Sequence, residues 1–164
     1  MNFIDGGGAR EVASQALARR LPALGDFAEL QGAAAGDPVQ VHTVFGEPSY
    51  WTVPVLDAGH LVGFIRLLRD GRITAAGRFG GSPPPQLVTG IPAEEAVCLA
   101  RPHIHSERGE IALDPMFVHD GPPGREAWLV PVAVGGGRIT RWIFVSKGGI
   151  YERTAGELRA ESRE

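Results

Sequence analysis

Apolar residues recur along the first half of the chain at the spacings expected of one helix followed by four strands. From Ala9 to Leu21 the apolar side chains fall on one face of a helix. From Val39 to Phe45, valine, threonine or phenylalanine occupies every second position, which is the period of a half-buried strand. Further runs of apolar and β-branched residues, separated by turn-forming segments, predict three more strands: Tyr50–Leu56, Leu61–Leu68 and Ile73–Phe79.

A second helix and a second group of strands are predicted after a segment rich in glycine and proline. Pro92 and the acidic pair Glu94 and Glu95 are typical of a helix start, and the helix is expected to run from Ala93 to Arg101. The polar segment from His103 to Pro115 predicts a connection. The strands predicted after it are Met116–His119, Ala127–Val134, Ile139–Ser146 and Ile150–Arg153.

A short sequence signature occurs in both groups of strands. Trp51-Thr52-Val53-Pro54-Val55 recurs 77 positions later (128 − 51 = 77) as Trp128-Leu129-Val130-Pro131-Val132. A repeat at this spacing indicates a duplicated supersecondary unit. Since proline cannot donate a ladder hydrogen bond, we expect both prolines at a strand edge or a bulge. The residues that define the signature are Trp51, Pro54, Gly71, Trp128, Pro131 and Gly148.

The pattern as a whole predicts an α+β fold made of two repeated units. Each unit is expected to pack one helix on a three- to four-stranded antiparallel sheet, because each sheet must cover one apolar face. Whether the two sheets join at their edges is left open. The expected boundaries are a flexible N-terminus at 1–8, a first repeat at 9–79, a Gly/Pro-rich linker at 80–90, a second repeat at 91–153 and a polar C-terminal tail at 154–164.

The repeated unit resembles the PepSY-like modules found in protease propeptides and in small tandem proteins. The resemblance rests on Trp51–Val55 with Gly59 and Gly71, and on Trp128–Val132 with Gly136 and Gly148. It implies a cystatin-like plan, in which one helix lies against a curved antiparallel sheet, and a role in binding or restraining other proteins without catalytic residues. The sequence shows neither the signal peptide nor the protease domain of the secreted examples, so inhibition of a peptidase is only one possibility.

Charge and composition narrow the range of partners. The chain has 16 basic and 19 acidic residues, a net charge of −3, which gives no basic surface for a nucleic-acid backbone. No run approaches the roughly 20 apolar residues of a membrane-spanning helix. Cys98 is the one cysteine, and its apolar neighbours predict a buried thiol. We therefore expect a cytoplasmic protein with no nucleic-acid or membrane partner.

The histidine-rich segment after the second helix is the one candidate for metal chemistry. His103 and His105 in an extended segment would point the same way, which suits a divalent ion. Glu110 and His119 follow, and the His-x-His-x4-Glu spacing is similar to part of the first cupin motif, although the glycines of that motif are missing. The alternative interpretation is a solvated loop that binds no metal. On that interpretation the chain has no catalytic residue and no cofactor.

Three functions follow from these observations. The first is a non-enzymatic module that binds another protein or a peptide, as an inhibitor, an immunity-type protein or an accessory subunit, through a sheet edge or its loops. The second is a small metal-dependent, cupin-like enzyme that uses the His103-x-His105 cluster. The third is a self-assembling structural protein that forms homo-oligomers through its sheet edges.

Overall fold

The computed structural model describes residues 3–19, 21, 25–80, 87, 89–119, 125–154 and 157. Within these residues there are two α-helices, α1 (Gly6–Arg19) and α2 (Ala93–Ala100). Three short 3-10 turns lie at Gly25–Leu30, Arg101–His103 and Ser106–Arg108. The strands are β1 (Ala34–Ala35), β2 (Val39–His42), β3 (Pro48–Asp57), β4 (His60–Leu68), β5 (Ile73–Arg78), β6 (Glu110–Ala112), β7 (Met116–His119), β8 (Glu126–Val134), β9 (Arg138–Ser146) and β10 (Gly149–Thr154).

The chain divides into two compact units. The first comprises residues 1–43 and 47–88, and the second comprises residues 44–46 and 89–164. In the first unit the strand order is β2-β3-β4-β5, and β1 pairs with a further part of β3. In the second unit the order is β7-β8-β9-β10, and β6 pairs with a further part of β8. Every strand pair within a unit is antiparallel.

The core of the first unit lies between α1 and the strands β3 and β4. The buried face of α1 is made of small residues with one leucine, so the helix can approach the sheet closely. The residues of this core include Ala9, Ala13, Ala16 and Leu17 from α1, Val53 and Val55 from β3, and Ile65 and Leu67 from β4.

The second unit buries apolar side chains in two clusters. One lies beneath α2 and contains Ala96, Ala100, Val130, Val132, Ile143 and Val145. The other contains Val118, Ala127, Leu129 and Phe144. Successive residues of β8 and β9 thus alternate between the two clusters, as the pleat of a strand requires.

The predicted fold class is wrong. The described residues are mostly strand, and each unit contains five strands, whereas two repeated helix-on-sheet units of three or four strands were expected. The tandem α+β description derived from the repeated signature falls with it. Alternation reports which side chains of a strand are buried, but it carries no information on where a sheet ends, because any uncovered edge can accept another strand. Two short strands were also not predicted: β1, and β6, which lies within the segment His103–Pro115 that was expected to be a connection.

Two local expectations for the helices also need correction. α1 begins at Gly6, inside the segment expected to be a flexible N-terminus, because Asp5 caps it: the Gly8 amide donates to Asp5 Oδ1 at 2.8 Å. Cys98 is exposed rather than buried. α2 turns Ala96 and Ala100 into the core, and a helix places residue 98 on the opposite face.

Candidate functional site

The four residues proposed as metal ligands are distributed over several elements of the second unit. His103 ends a 3-10 turn, and His105 lies just before the next one. Glu110 begins β6, and His119 ends β7, where it pairs with Glu126 of β8. Among the described residues, no group of three or more His, Cys, Asp or Glu side chains is arranged to hold a metal ion.

Arg141 of β9 brings two of these residues together in an ion-pair network. Its side chain is 13% exposed, and that of Glu110 is 10% exposed. The guanidinium donates to Glu110 Oε2 at 2.6 Å, to Glu152 of β10 and to the main-chain oxygen of His103. His103 Nδ1 lies 2.8 Å from Glu152 Oε1, and the His105 amide donates to Glu110 Oε2 at 2.8 Å. The network therefore fastens the connection after α2 to the strands β9 and β10.

The electrostatics of this network are those of an ion pair and not of a vacant metal site. The hydrogen bond from Arg141, followed by the one from the His105 amide, holds the pKa of Glu110 below its ordinary value. The hydrogen bond to Glu110 in turn raises the pKa of Arg141, although partial burial opposes it. An ion pair of this kind keeps Glu110 charged and already bonded. The arrangement positions the loop that follows α2.

We expect the network to make the stability of the protein depend on acid pH. Because the pKa of Glu110 is lower in the folded state, its contribution is fully present above the ordinary value of 4.5. That contribution is lost as the pH falls through the lower, folded-state pKa. Urea denaturation at a series of pH values should show a smaller acid-induced loss of unfolding free energy in Glu110→Gln than in the wild type. An identical pH dependence in both proteins would contradict this assignment.

The two signature tryptophans each hold the chain segment that leads into a helix. Trp51 Nε1 donates to the main-chain oxygen of Ile4 at 3.3 Å, two residues before α1. Trp128 Nε1 donates to the main-chain oxygen of Ile91 at 2.9 Å, two residues before α2. Both indoles thus anchor helix starts on the sheet, which is a structural role.

The two signature prolines lie where their strand changes partner. On one side of β3, β2 pairs up to Thr52 and β1 pairs from Val55 onward, so Pro54 falls between them. Pro131 falls in the same way between the partners β7 and β6 of β8. Each proline takes part in a main-chain hydrogen bond only as the acceptor. The Gly36 amide donates to the Pro54 oxygen, and the Leu113 amide donates to the Pro131 oxygen. A strand interior therefore tolerates both prolines, and a register shift follows one residue later in each strand.

The signature glycines lie in hairpin turns. Gly71, at φ +84°, follows a turn closed by the Gly71 amide on the Leu68 oxygen. Asp70-Gly71 is not a type I′ turn, which needs a positive φ at both central residues, because Asp70 does not have a positive φ and the left-handed residue ends the turn. Two successive positive φ angles occur instead at Ala58 and Gly59, between β3 and β4. Gly148 lies in the short turn between β9 and β10, where its amide donates to Ser146 Oγ at 3.2 Å.

The first unit presents a different kind of feature, a strand edge that no described strand covers. β5 pairs with β4 along one side and is the last strand in the hydrogen-bonded order of that unit. The Phe79 amide donates to the Val62 oxygen at 3.0 Å. Because antiparallel residues alternate between bonded and non-bonded positions, the main-chain groups of Ala76 and Arg78 point away from β4. They form a row of groups able to bond an added strand.

A groove lies between α1 and the start of this edge strand. It has a volume of about 200 Å³ and is lined by Val12, Gln15, Ala16 and Arg19 of α1 and by Ile73 of β5. We call it the α1–β5 groove. Val12, Ala16 and Ile73 give it an apolar floor, and Gln15 and Arg19 are exposed at its rim. An extended peptide on β5 would place alternate side chains over α1 and into this groove.

Sequence reasoning missed Arg141 and the α1–β5 groove. Arg141 left one signal, since it is a charged residue within an otherwise apolar strand, and a charge in that position usually has a partner. Nothing along the sequence indicates that its partners are Glu110 and Glu152. The groove could not be recognised in the sequence. Val12 and Ala16 have the spacing of residues on the buried face of a helix, so the pattern does not distinguish groove residues from core residues.

Comparison of the chain with protein-family models, with curated proteins and with solved structures found no match. The resemblance to PepSY-like modules therefore stays a prediction. Among the described residues, neither helix has the length and apolar character needed to cross a bilayer.

Proposed function

We propose that this protein is a non-enzymatic binding module that takes up an extended segment of a partner protein or peptide by strand addition at β5. The observation that carries the proposal is the coincidence of an uncovered strand edge with the α1–β5 groove beside it. Main-chain hydrogen bonds to an edge supply affinity, and a neighbouring groove supplies selectivity for alternate side chains.

The side chains in the centre of β5 are small enough to leave its edge open to a second backbone. The central residues Ala75, Ala76 and Gly77 are alanine and glycine, the two smallest amino acids. Native sheets often protect an edge with inward-pointing charges, prolines or a covering loop. In β5, Arg78 is a charged residue, but it forms an ion pair with Glu29.

The other terminal strand is a weaker candidate for the same role. The amide and hydroxyl of Thr154, the last residue of β10, donate to Glu157 Oε2 at 2.6 and 2.9 Å. The end of that edge is thus already bonded to a residue of the same chain. This contrast favours β5 as the binding edge.

Ala76→Pro should weaken binding while the fold is retained. The substitution removes an amide that points away from β4, so the ladder between β4 and β5 keeps its hydrogen bonds. The probe is a phage-displayed peptide library selected on the wild-type protein, followed by titration of the enriched synthetic peptides. With ¹⁵N-labelled protein, the amides of β5 should show the largest chemical-shift changes. We expect binding of the enriched peptides to the proline variant to fall at least about fivefold, since about 1 kcal/mol is lost with one main-chain hydrogen bond.

Ala76→Val is the matched control, because it adds similar bulk and keeps the amide. It should bind the enriched peptides, and both variants should melt cooperatively. Strand addition at β5 is ruled out if the library gives no enriched peptide, or if enriched peptides bind wild type and Ala76→Pro equally. Light scattering of the free protein tests the third function, self-assembly through sheet edges. A wild-type dimer that becomes a monomer in Ala76→Pro would mean that a second copy of the chain occupies the edge of β5.

We also propose a cytoplasmic location. It is supported by the presence of one cysteine, exposed on α2, which cannot form an intrachain disulfide. Cell fractionation with an antibody against the protein is the direct test, and recovery outside the cytoplasmic fraction would contradict it.

A further inference from the structure

We infer that the α1–β5 groove selects extended peptides in which two alternate apolar residues are followed, on the same face, by a carboxylate that binds Arg19. This inference rests on the proposed strand addition at β5 and names the chemical class of the partner. It follows from three properties of the groove: its floor, the charge at its rim and its length.

The floor of the groove is apolar and accessible from the open edge. Val12 and Ala16 come from one face of α1, and Ile73 comes from the start of β5. In a strand added to β5, every second side chain would lie on the α1 side of the sheet. Apolar side chains at two such positions would cover the partly exposed Val12 and Ile73, which water otherwise contacts.

The charge at the rim is positive. Arg19 is exposed in the last turn of α1, and it is the charged residue among those that line the groove. Two carboxylates on the elements that line the groove or directly precede them have other partners: Glu11 Oε1 of α1 accepts from the Gln15 amide at 3.3 Å, and Asp70, just before β5, lies 3.9 Å from Arg72. A carboxylate on the peptide would complement Arg19, whereas a lysine would be repelled by it.

The length of the groove sets the spacing in the peptide. Val12 and Arg19 are seven residues apart (19 − 12 = 7), which is about 10 Å along a helix. A strand covers this distance in roughly three residues. Because side chains on one face are separated by an even number of residues, the acid must lie two or four residues from an apolar position. An apolar-x-apolar-x-acid pattern satisfies both spacings.

Synthetic peptides test this directly. The probe is fluorescein-labelled Thr-Val-Thr-Val-Thr-Glu-Thr, together with its reversed sequence, because an edge accepts either strand direction. The comparison peptides carry Lys in place of Glu. Anisotropy titration should show the Glu peptide of the preferred direction binding about three- to tenfold more tightly than its Lys counterpart. The preference should shrink in high salt, since the pair is exposed to solvent.

Arg19→Glu should reverse the order of the two peptides. The matched control is Arg138→Glu, which makes the same charge change at an exposed position of β9 in the other unit and should keep the wild-type order. If the wild type binds the Glu and Lys peptides equally, the charge preference is overturned. If that binding is also lost in Ala76→Pro, strand addition at β5 is supported. Binding by neither peptide would also overturn this inference, and peptides enriched from the library would then stand as the separate test of strand addition.

Discussion

Arg141→Ala is expected to lower the free energy of unfolding by about 2–3 kcal/mol. The value lies between that of an exposed ion pair, at most about 1 kcal/mol, and that of a buried pair broken by removal of one partner, about 3–5 kcal/mol. An intermediate value is reasonable because Arg141 and Glu110 are mostly buried but Glu152 is 39% exposed. The loss arises from leaving two carboxylates and the His103 oxygen without their shared donor.

Urea denaturation of wild type and variant at neutral pH measures this loss. Arg138→Ala is the matched control, since it removes an exposed arginine from the same strand and should change stability by no more than about 0.5 kcal/mol. Arg141→Lys should fall between the two, because lysine keeps the charge but not the planar fork that bonds several oxygens. If Arg141→Ala is as stable as Arg138→Ala, the network does not fasten the segment after α2 to the sheet.

Gly63→Ala is expected to destabilise the first unit by about 1–3 kcal/mol and to disturb the β5 edge. A Cβ atom at residue 63 would lie 2.4 Å from the main-chain oxygen of Gly77 in β5. Two backbones are involved, so no side chain can rotate away and the strands must separate. Peptide binding at β5 should weaken along with stability, because the edge is displaced.

Urea denaturation and amide hydrogen exchange measure the two effects of Gly63→Ala. Exchange should accelerate most in β4 and β5. Gly80→Ala is the matched control: an added Cβ there meets no atom within 4 Å, and its φ is not positive. Its stability should stay the same or rise by up to about 1 kcal/mol. Unchanged exchange in β5 of Gly63→Ala would show that the two strands can absorb the methyl group.

Local sequence patterns were sufficient to place most of the secondary structure. The runs of apolar and β-branched residues in β3, β4, β8 and β9 are long enough to predict strands, and the bounds of these strands agree with prediction to within about two residues. β1 and β6, with two and three residues, are too short to show any period. Cys98 was misplaced because an eight-residue helix rich in apolar residues does not identify its buried face.

The candidate sites depended on residues far apart in the chain. Glu110 and Arg141 are 31 positions apart, and His103 and Glu152 are 49 apart. Sequence reasoning grouped His103, His105 and Glu110 by proximity along the chain and inferred a metal site. The structure instead joins His103 and Glu110 to Arg141 and Glu152, which adjoining strands bring alongside, whereas the His105 ring lies 3.5 Å from Glu107. The α1–β5 groove arises in the same way, from a helix and a strand separated by more than fifty residues (73 − 19 = 54).

By itself the sequence determined where most strands and both helices lie, and it located the tryptophans and prolines that anchor them. The positions of these elements and residues depend on side-chain periodicity and on backbone chemistry within a few residues. The tertiary structure alone decided the order of the strands within each unit, which charges meet and which strand edge lacks a partner among the described residues. These outcomes depend on strand register and on the packing of distant segments, and neither leaves a periodic trace in the chain.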